Sequence, residues 1–509
     1  MMRRLILLLL VLSPVAGVVA QTAFHYSADL RKLKNDPVPV TFRASGIAGS
    51  EVIFRMPKMV PGIYANLDFG RNIRSIAATS AGKKLKVDRI DTNSWKISGI
   101  TGSVEIGYKV DDDFEDFDEK RKAAYCSPRS LFKADTVFLV NHNSLFGYLE
   151  GYTQSPVEVS IDQPGLMYAA SSLDKKEVSP GRTVFSAGSY NELVDNPVLI
   201  AQADTAIIRL GEVKVMIACY STSGKKLAAD MAGFIEPLLK KQKNYLGGKL
   251  PVDRYTFLLY HFATNDYNSY MFDGLEHGQS TMILLNMPTD KEMIRKPLYS
   301  VASHEFFHTV LPLTLHAEQI EYYDFKGPEM SKHLWLYEGM TEYFTIHMPA
   351  REGLTDLNGF MESITEKITT MNRMKNDISL AQLGLQSVER QDEYMNAYAR
   401  GTLVCMALDI ELRSRSGGSY GVQQLIADLG KKYGKNKPFK DEELFRVMEE
   451  VSGKPGIADF LVKYIDRNEL PPVSGSLEKV GLMVKDGRVV EVPGASAGAL
   501  LLRKQWCGL

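Results

Sequence analysis

Apolar and polar residues alternate along several short stretches in the N-terminal part of the chain. Residues 38–43, 51–55 and 103–108 combine partial alternation with β-branched and aromatic side chains, which predicts half-buried strands. Turn signals containing Gly and Pro separate these runs. Because helical periodicity is scarce before about residue 203, we predict a β-sandwich-like domain over 21–203.

The pattern changes in the second part of the chain. An amphipathic helix is predicted over 225–245, because apolar residues recur there at helical spacing. Residues 356–466 are also largely helical in pattern. Strand-like apolar runs lie at 213–219, 254–260 and 280–285. Strands followed by helices favour an α+β arrangement, so we predict a second domain over 204–470.

The N-terminus has the pattern of a targeting segment. Arg3 and Arg4 precede a short apolar run at 5–12, and small residues end at Ala20. This predicts a signal peptide over 1–20, cleaved after Ala20, and hence a secreted or periplasmic protein. No other apolar run approaches the length of a transmembrane segment, so we expect none.

Composition is ordinary for a globular protein of two or three domains, with 509 residues, 45% hydrophobic residues and 24% charged residues. A net charge of −1 gives no indication of a nucleic-acid partner. The cysteines Cys126, Cys219, Cys405 and Cys507 are spaced too widely for a zinc knuckle or a dense disulfide framework. Cys219 and Cys405 lie in apolar runs and are expected in the core.

The strongest chemical signal is His-Glu-Phe-Phe-His at 304–308. On a helix, residues four apart share one face, so His304 and His308 can bind one zinc ion. Hydrolytic zinc sites use three protein ligands and keep a position for water, and Glu338 is the predicted third ligand. Glu305 is then placed to take a proton from that water. The alternative is an ordinary helix with two unrelated histidines.

Glu342 lies four residues beyond Glu338, on the same face of a helix. A metal-binding histidine usually donates its other N–H to a carboxylate, so Glu342 could orient His304. A solvated helical Glu is the alternative. His316 and His333 are expected to be loop histidines outside the site, because three ligands already complete it.

Several segments besides 304–308 carry a family resemblance. They are His333-Leu-Trp-Leu-Tyr-Glu-Gly-Met-Thr-Glu-Tyr343, Gly274-Leu-Glu-His277, Pro61-Gly-Ile-Tyr64 and Tyr190-Asn-Glu-Leu-Val-Asp-Asn-Pro197. With them the chain resembles the glycyl aminopeptidase family of zinc metallopeptidases. The resemblance implies a thermolysin-like catalytic domain with a helical C-terminal lobe, one zinc ion per chain, and peptide substrates with a small first residue, glycine or alanine. It also implies a C-terminal PDZ domain, expected here as an incomplete PDZ-like segment over 471–509.

Two further roles come from a resemblance to the wider aminopeptidase N-like group. That group has a G-x-M-E-N strand whose Glu binds the substrate's free amino group, which implies this role for Glu276. Its Y-x-K-G segment supplies a Tyr hydroxyl to the oxyanion, which implies this role for Tyr398, with Arg400 in place of Lys. The alternatives are a solvent-facing Glu and a core Tyr. The stretch 309–314 departs from the family's Trp-Asn-x-Lys pattern, which bears on substrate preference rather than on the chemistry.

These features together predict a secreted or periplasmic zinc aminopeptidase. One alternative is a zinc endopeptidase of the same fold, in which Glu276 has another purpose. Another is a non-catalytic, exported peptide-binding module with a structural zinc ion. Glu305 and the open fourth ligand position argue against that module, because structural zinc sites usually have four protein ligands.

Overall fold

The computed structural model of this protein describes residues 24–31, 33, 37–111, 113–114, 127–266 and 271–509. The predicted signal peptide and Cys126 lie outside the described residues. Cys219, Cys405 and Cys507 are buried thiols, which confirms the core positions expected for Cys219 and Cys405. None of the helices in the described residues combines the length and apolar character needed to cross a bilayer.

The N-terminal part is a β-rich domain, as its alternating pattern predicts. In chain order its described strands β1 to β16 are Phe24–Asp29, Val38–Ser45, Glu51–Arg55, Ile73–Ser80, Lys83–Lys84, Lys86–Arg89, Ser94–Ser98, Ser103–Val110, Leu131–Lys133, Val137–Val140, Tyr148–Leu149, Val157–Asp162, Tyr168–Ala170, Asp174–Ser179, Arg182–Ala187 and Val198–Ala201. Short helices α1 (His142–Leu145) and α2 (Tyr190–Val194) and a 3-10 turn at Phe69–Asn72 lie between strands. The three strands predicted at 38–43, 51–55 and 103–108 are all present.

These strands form packed sheets around one core. An eight-stranded sheet has the order β14-β15-β12-β1-β2-β8-β4-β5, and two four-stranded sheets have the orders β11-β3-β7-β6 and β13-β16-β10-β9. Buried and exposed side chains alternate along β8, because successive side chains point to opposite faces of a sheet. The ring of Phe42 on β2 lies 6.2 Å from the ring of Phe54 on β3, so the inner faces of two sheets contact each other.

A mixed five-stranded sheet begins the second part of the chain. Its strands β17 to β21 are Thr205–Leu210, Val213–Ser221, Arg254–Ala263, Met271–Glu276 and Ser280–Met287, in the order β17-β18-β19-β21-β20. β18, β19 and β21 are parallel, and β20 is an antiparallel edge strand. The apolar runs of the sequence correspond to the buried central strands, which are covered on both faces.

Helices make up most of the remaining chain. Helices α3 to α12 are Ala228–Tyr245, Lys291–Phe307, Glu318–Glu321, Thr341–Arg351, Leu357–Arg373, Leu380–Leu385, Met395–Arg415, Val422–Lys432, Leu444–Ser452 and Ile457–Leu461. Two π-helical segments, Trp335–Met340 and Val462–Asp466, precede α6 and follow α12. The helical pattern predicted over 356–466 is therefore confirmed, and the whole chain is a mixed α+β protein with a helical C-terminal part.

The C-terminal tail contains α13 (Val473–Lys479), the hairpin strands β22 (Leu482–Lys485) and β23 (Arg488–Glu491), and α14 (Ala497–Cys507). The expected PDZ-like segment is not shown, because after two strands the chain forms a helix. Trp506 of α14 is fully buried and donates a hydrogen bond from Nε1 to the hydroxyl of Tyr343 on α6, 2.8 Å away. The tail thus packs directly on the helix that follows Glu338.

The N-terminal domain covers the free edge of the five-stranded sheet. The hydroxyl of Ser127 donates to the carbonyl oxygen of Gly274 on β20, 3.2 Å away. Leu275, the next residue of β20, is 2% exposed and belongs to the hydrophobic core of the N-terminal domain. Because side chains alternate along a strand, Gly274 and Glu276 then face the other way, toward α4.

Candidate active site

His304 and His308 lie at the C-terminal end of α4. The helix begins at a cap in which the Asp290 side chain accepts a hydrogen bond from the amide of Met293, 2.9 Å away. It ends at Phe307, and His308 follows in a helical backbone conformation. The two imidazoles therefore lie one turn apart, with ring centroids separated by 4.7 Å.

Each imidazole is held in place through its Nδ1 atom. His304 Nδ1 donates to Glu342 Oε2 at 2.9 Å, and His308 Nδ1 donates to the carbonyl oxygen of Leu311 at 2.7 Å. When such a ring is neutral and Nδ1 carries its proton, Nε2 keeps its lone pair for a metal. Leu311 belongs to the stretch 309–314 that departs from the family pattern, so that stretch still supplies a partner for His308.

Glu338 faces both histidines from the π-helical segment Trp335–Met340. Its Oε2 atom lies 3.4 Å from His304 Nε2 and 3.6 Å from His308 Nε2. Gly339, the next residue, touches α9: a Cβ placed there would meet the Cα of Gly401 at 2.7 Å. This close crossing of backbones requires both glycines, and it brings α9 beside Glu338.

The three side chains fit a metal ion. Their ligand atoms lie within 4.8 Å of one another, and Glu338 Oε2 is buried with no hydrogen-bond partner among the described residues. Ligands about 2.1 Å from a tetrahedral ion stand roughly 3.4 Å apart, which agrees with the distances from Glu338 to the two Nε2 atoms. Two histidines and one carboxylate are the donor set that hydrolytic zinc sites use.

Charges in this cluster compensate one another. Burial alone would raise the pKa of Glu338, but His308 and His304 hold that pKa below its usual range. Burial lowers the pKa of His308 to about 4, so its ring is neutral at physiological pH and able to bind a metal. Burial also opposes the charging of His304, but Glu338 and Glu342 outweigh it and raise the pKa of His304.

A lysine on another helix forms an ion pair with Glu342. Lys367 Nζ on α7 lies 2.5 Å from Glu342 Oε1, while Glu342 Oε2 binds His304. Burial would raise the pKa of Glu342, but its bonds to His304 and Lys367 hold that pKa well below the usual range. Sequence spacing placed Glu342 beside His304 as one of two alternatives; the contribution of Lys367 could not be read from spacing.

Glu305 points from α4 toward the edge strand. Its carboxyl group lies against Gly274, where an added Cβ would meet Oε1 at 2.5 Å, so a side chain at that position of β20 would displace the Glu305 carboxyl group. Glu305 Oε2 is buried without a hydrogen-bond partner in the described part of the chain. Burial, together with the nearby Glu338 and Asp273, raises the pKa of Glu305 to about 8.

Glu276 enters the same cleft at the end of β20. Ligand atoms of Glu276, Glu305 and His308 all lie within 4.8 Å of one another, so Glu276 does not simply face solvent. Burial and the nearby carboxylates Glu338 and Glu305 raise the pKa of Glu276 well above its usual range. A positive group of a ligand would relieve this concentration of negative charge.

Tyr398 stacks beside the histidines from α9. Its ring centroid lies 5.7 Å from that of His304, and its hydroxyl lies 3.4 Å from the hydroxyl of Tyr394. Burial, and next the charge of Glu338, raise the pKa of Tyr398, which keeps the phenol protonated as a donor. Arg400 is buried away from the cleft and donates to the carbonyl oxygens of Ile378 and Glu469.

One aromatic residue of the cleft comes from the N-terminal domain. Tyr64 packs with the core of the second part of the chain, its ring centroid 5.7 Å from that of Tyr394, and Gln391 donates to its backbone carbonyl at 2.7 Å. Burial, then Glu338, Tyr394 and Glu276, raise the pKa of Tyr64. The Pro61–Tyr64 motif marked this segment in the sequence, but nothing in it indicated contact with the cleft.

His316 and His333 lie outside the cluster. His316 is buried between the carbonyl oxygen of Pro312 and the carboxylate of Glu321. His333 is buried and bonds through Nε2 to the carbonyl oxygen of Asp441, 2.9 Å away. Both rings therefore have structural partners.

Comparison with known proteins agrees with this geometry. A model of the peptidase M61 N-terminal domain matches residues 25–202, and a model of the M61 glycyl aminopeptidase matches residues 298–404. The second range contains the 304–308 motif, Glu338 and Tyr398, whereas Glu276 lies between the two ranges. No curated protein matches the sequence.

Solved structures show the same fold in metallopeptidases. An aminopeptidase N family protein from Idiomarina loihiensis has 22% identity and a TM-score of 0.76, over 91% of this chain and 79% of that chain. An M1 zinc metallopeptidase mutant from Deinococcus radiodurans, bound to a Tyr-Ser-Ala substrate, has 14% identity and a TM-score of 0.54, over 89% and 95%. Native yeast LTA4 hydrolase has 13% identity and a TM-score of 0.54, over 90% and 71%.

The two family models lie in the expected order along the chain. The fold is that of metallopeptidases, and its cleft holds a His-His-Glu cluster. The chain belongs to the M61 glycyl aminopeptidase family of metallopeptidases.

Proposed function

We propose that this protein is a zinc-dependent aminopeptidase that removes small N-terminal residues, glycine or alanine, from peptides. The observation that carries the proposal is the position of Glu276, a second carboxylate within 4.8 Å of Glu305 and His308 beside the proposed metal ligands. A free ammonium in a partly dry cleft needs a carboxylate, and only the N-terminus of a peptide offers that ammonium next to the scissile bond. An endopeptidase has no such need.

In this proposal His304, His308 and Glu338 hold one zinc ion. When bound, zinc lowers the pKa of water toward neutral and polarises a carbonyl group. Glu342 fixes the His304 ring by accepting its Nδ1–H. The catalytic domain extends over 204–470, after the β-rich domain over 21–203.

The proton steps are assigned to Glu305 and Tyr398. Glu305 accepts a proton from the attacking water and returns it to the nitrogen of the leaving amine. Burial raises the pKa of Glu305 to about 8, which supports its assignment as the group that takes up a proton. Tyr398 donates its hydroxyl proton in a hydrogen bond to the carbonyl oxygen as that oxygen gains negative charge. Glu276 binds the ammonium, so cleavage follows the first residue.

The preference for glycine or alanine rests on the family, and export rests on the N-terminal sequence over 1–20. We propose both as expectations for the native protein. N-terminal sequencing of the protein after expression in its host checks the cleavage site after Ala20.

One experiment separates the proposal from its alternatives. An alanine-initiated peptide and its N-acetylated form are incubated with the zinc-loaded protein, and the products are identified by mass spectrometry. We expect stepwise loss of single residues from the free peptide only, stopped by a chelator and restored by zinc. Internal cleavage of the acetylated peptide would identify an endopeptidase. Tight binding of either peptide without cleavage would identify a binding module.

A further inference from the structure

The strand that carries Glu276 contacts the N-terminal domain as well as its own sheet. The strand that carries it, β20, is the edge of its sheet, and its neighbour Leu275 is buried in the core of the N-terminal domain. The backbone amide of Ser127 donates a hydrogen bond to Oδ2 of Asp273 at 2.9 Å, and its hydroxyl donates one to the carbonyl oxygen of Gly274. The position of this strand therefore depends on two domains.

Asp195 fixes the chain just after Glu276. Its Oδ2 atom accepts a hydrogen bond from the amide of Gly278 at 2.9 Å, and its Oδ1 atom lies 3.4 Å from Nδ1 of the buried His277. Asp195 follows α2 in the 190–197 motif of the N-terminal domain. These contacts hold the end of β20, so they restrict the direction in which Glu276 can point.

Gly62 forms the opposite wall. It follows Pro61 in a turn closed by the bond from the Ile63 amide to the Val60 carbonyl, 3.2 Å, and its φ of +81° suits the third position of a type II turn. An added Cβ would meet both carboxylate oxygens of Glu276 at 2.7 Å. Glycine suits this position because of its φ, and a side chain here would have to displace the Glu276 carboxylate, which rests directly against it.

We propose that the N-terminal domain is part of the subsite that binds the amino terminus: Gly62 and Asp195 are positioning residues that aim Glu276 at the ammonium of a peptide substrate. The proposal rests on the function proposed above for Glu276. It assigns a role to the 61–64 and 190–197 segments, and it means that the catalytic domain alone does not select free amino termini. The ligand class is peptides with an unblocked N-terminus.

The chain offers a matched control for Gly62. Gly49, in the same domain, has a φ of +82°, and a Cβ there would meet nothing within 4 Å. Gly49→Ala and Gly62→Ala therefore introduce the same backbone strain, and only Gly62→Ala places a methyl group against Glu276. For Asp195 the conservative variant is Asp195→Asn, whose side-chain oxygen can still accept a hydrogen bond from the Gly278 amide. Glu177→Ala, at an exposed position of the same domain, is the control.

The experiment measures kcat/KM on a free alanine-initiated peptide and on its N-acetylated form, using the full-length, zinc-loaded protein. We expect Gly62→Ala to lower kcat/KM on the free peptide by about tenfold or more, mostly through KM, because overpacking displaces the carboxylate. For Gly62→Ala, kcat/KM on the acetylated peptide should change by no more than about threefold. Gly49→Ala should have the wild-type kcat/KM on both peptides. Asp195→Ala should lose the same selectivity in part, and Asp195→Asn should recover most of it.

The failure of this inference differs from the failure of the proposed function. Glu276→Gln is measured in the wild-type and Gly62→Ala backgrounds, together with the melting temperature of each variant. If Gly62→Ala matches Gly49→Ala while Glu276→Gln alone loses selectivity, the N-terminal domain does not position Glu276 and the inference is wrong. If Glu276→Gln itself loses no selectivity, the proposed function is wrong. If the inference is correct, Glu276→Gln lowers kcat/KM on the free peptide much less in the Gly62→Ala background than in the wild type.

Discussion

The two ends of the cleft differ in how far apart their residues lie in the sequence. The metal end draws His304, His308, Glu338 and Glu342 from one continuous part of the chain, residues 304–342. The end proposed to bind the amino terminus joins Glu276 to Gly62 and Asp195, which come from another domain. Residue spacing can therefore predict the metal end, whereas the arrangement proposed to select a free amino terminus depends on contacts between two distant parts of the chain.

The largest expected effect is at the metal end. Glu305→Gln keeps the size of the side chain but removes its ability to accept a proton, so kcat should fall by about 10³-fold or more. Elemental analysis should still find one zinc ion per chain, since Glu305 is not a proposed ligand. Near wild-type turnover in the zinc-loaded variant would end the assignment of Glu305 as the base.

Tyr398→Phe should have the next largest effect. Loss of one donor to the oxyanion should lower kcat by about 10²-fold with little change in KM, because the bond forms only in the transition state. Tyr394→Phe, which removes the neighbouring hydroxyl 3.4 Å away, should cost clearly less. Equal kinetics for Tyr398→Phe and wild type would assign the oxyanion to another donor.

Lys367→Met should act on the metal end without touching the substrate. It removes the positive charge that holds Glu342 against His304, and loss of such support typically weakens metal binding about 10- to 100-fold. Competition with a chelator measures the zinc dissociation constant, and Lys431→Met, on the exposed side of α10, is the control. The ratio of free to acetylated substrate should stay unchanged in Lys367→Met. A change in that ratio would show that the two ends of the cleft are coupled.

The smallest effect on activity concerns the two domains as folded units. Burial lowers the pKa of His142, in the N-terminal domain, and of His347, in the catalytic domain, to about 4 each. Both rings are neutral when folded but become charged near pH 6.5 when unfolded, so stability is fully present above that pH and is lost as the pH falls toward 4. Each histidine should lower the free energy of unfolding of its domain by about 2 kcal/mol when the pH falls from 7.5 to 5. Urea unfolding at the two pH values measures this, and a stability independent of pH in that interval would contradict it.

Much of the fold follows from sequence because its signals are local. Alternation predicted the strands at 38–43 and 51–55, and helical periodicity predicted the helix over 225–245, which the structure has at Ala228–Tyr245. The helix that carries His304 ends at Phe307, and in the turn after it His308 Nδ1 donates to the carbonyl oxygen of Leu311. The tail over 471–509 has two helices and a two-stranded hairpin where a PDZ-like segment was expected.

The candidate site divides in the same way. Helical spacing predicted that His304 and His308 share one face with Glu305 beside them, and the need for a third ligand pointed to Glu338 downstream. Spacing did not predict that Gly339 and Gly401 bring α9 beside Glu338, nor that Tyr64 and Gly62 reach the cleft. These contacts join residues that are far apart in sequence, and a single sequence carries no periodic signal for them.

The central claim is that Glu276 recognises a free amino terminus, and one cycle of four measurements tests it most directly. Specificity constants are measured for wild type and Glu276→Gln on a free alanine-initiated peptide and on its N-acetylated form. The account predicts that Glu276→Gln loses roughly 2–5 kcal/mol of transition-state stabilisation on the free peptide, the usual loss when one member of a buried charge pair is removed. The acetylated peptide should be almost unaffected. Equal losses on both peptides, or equal cleavage of both by wild type, would contradict the account.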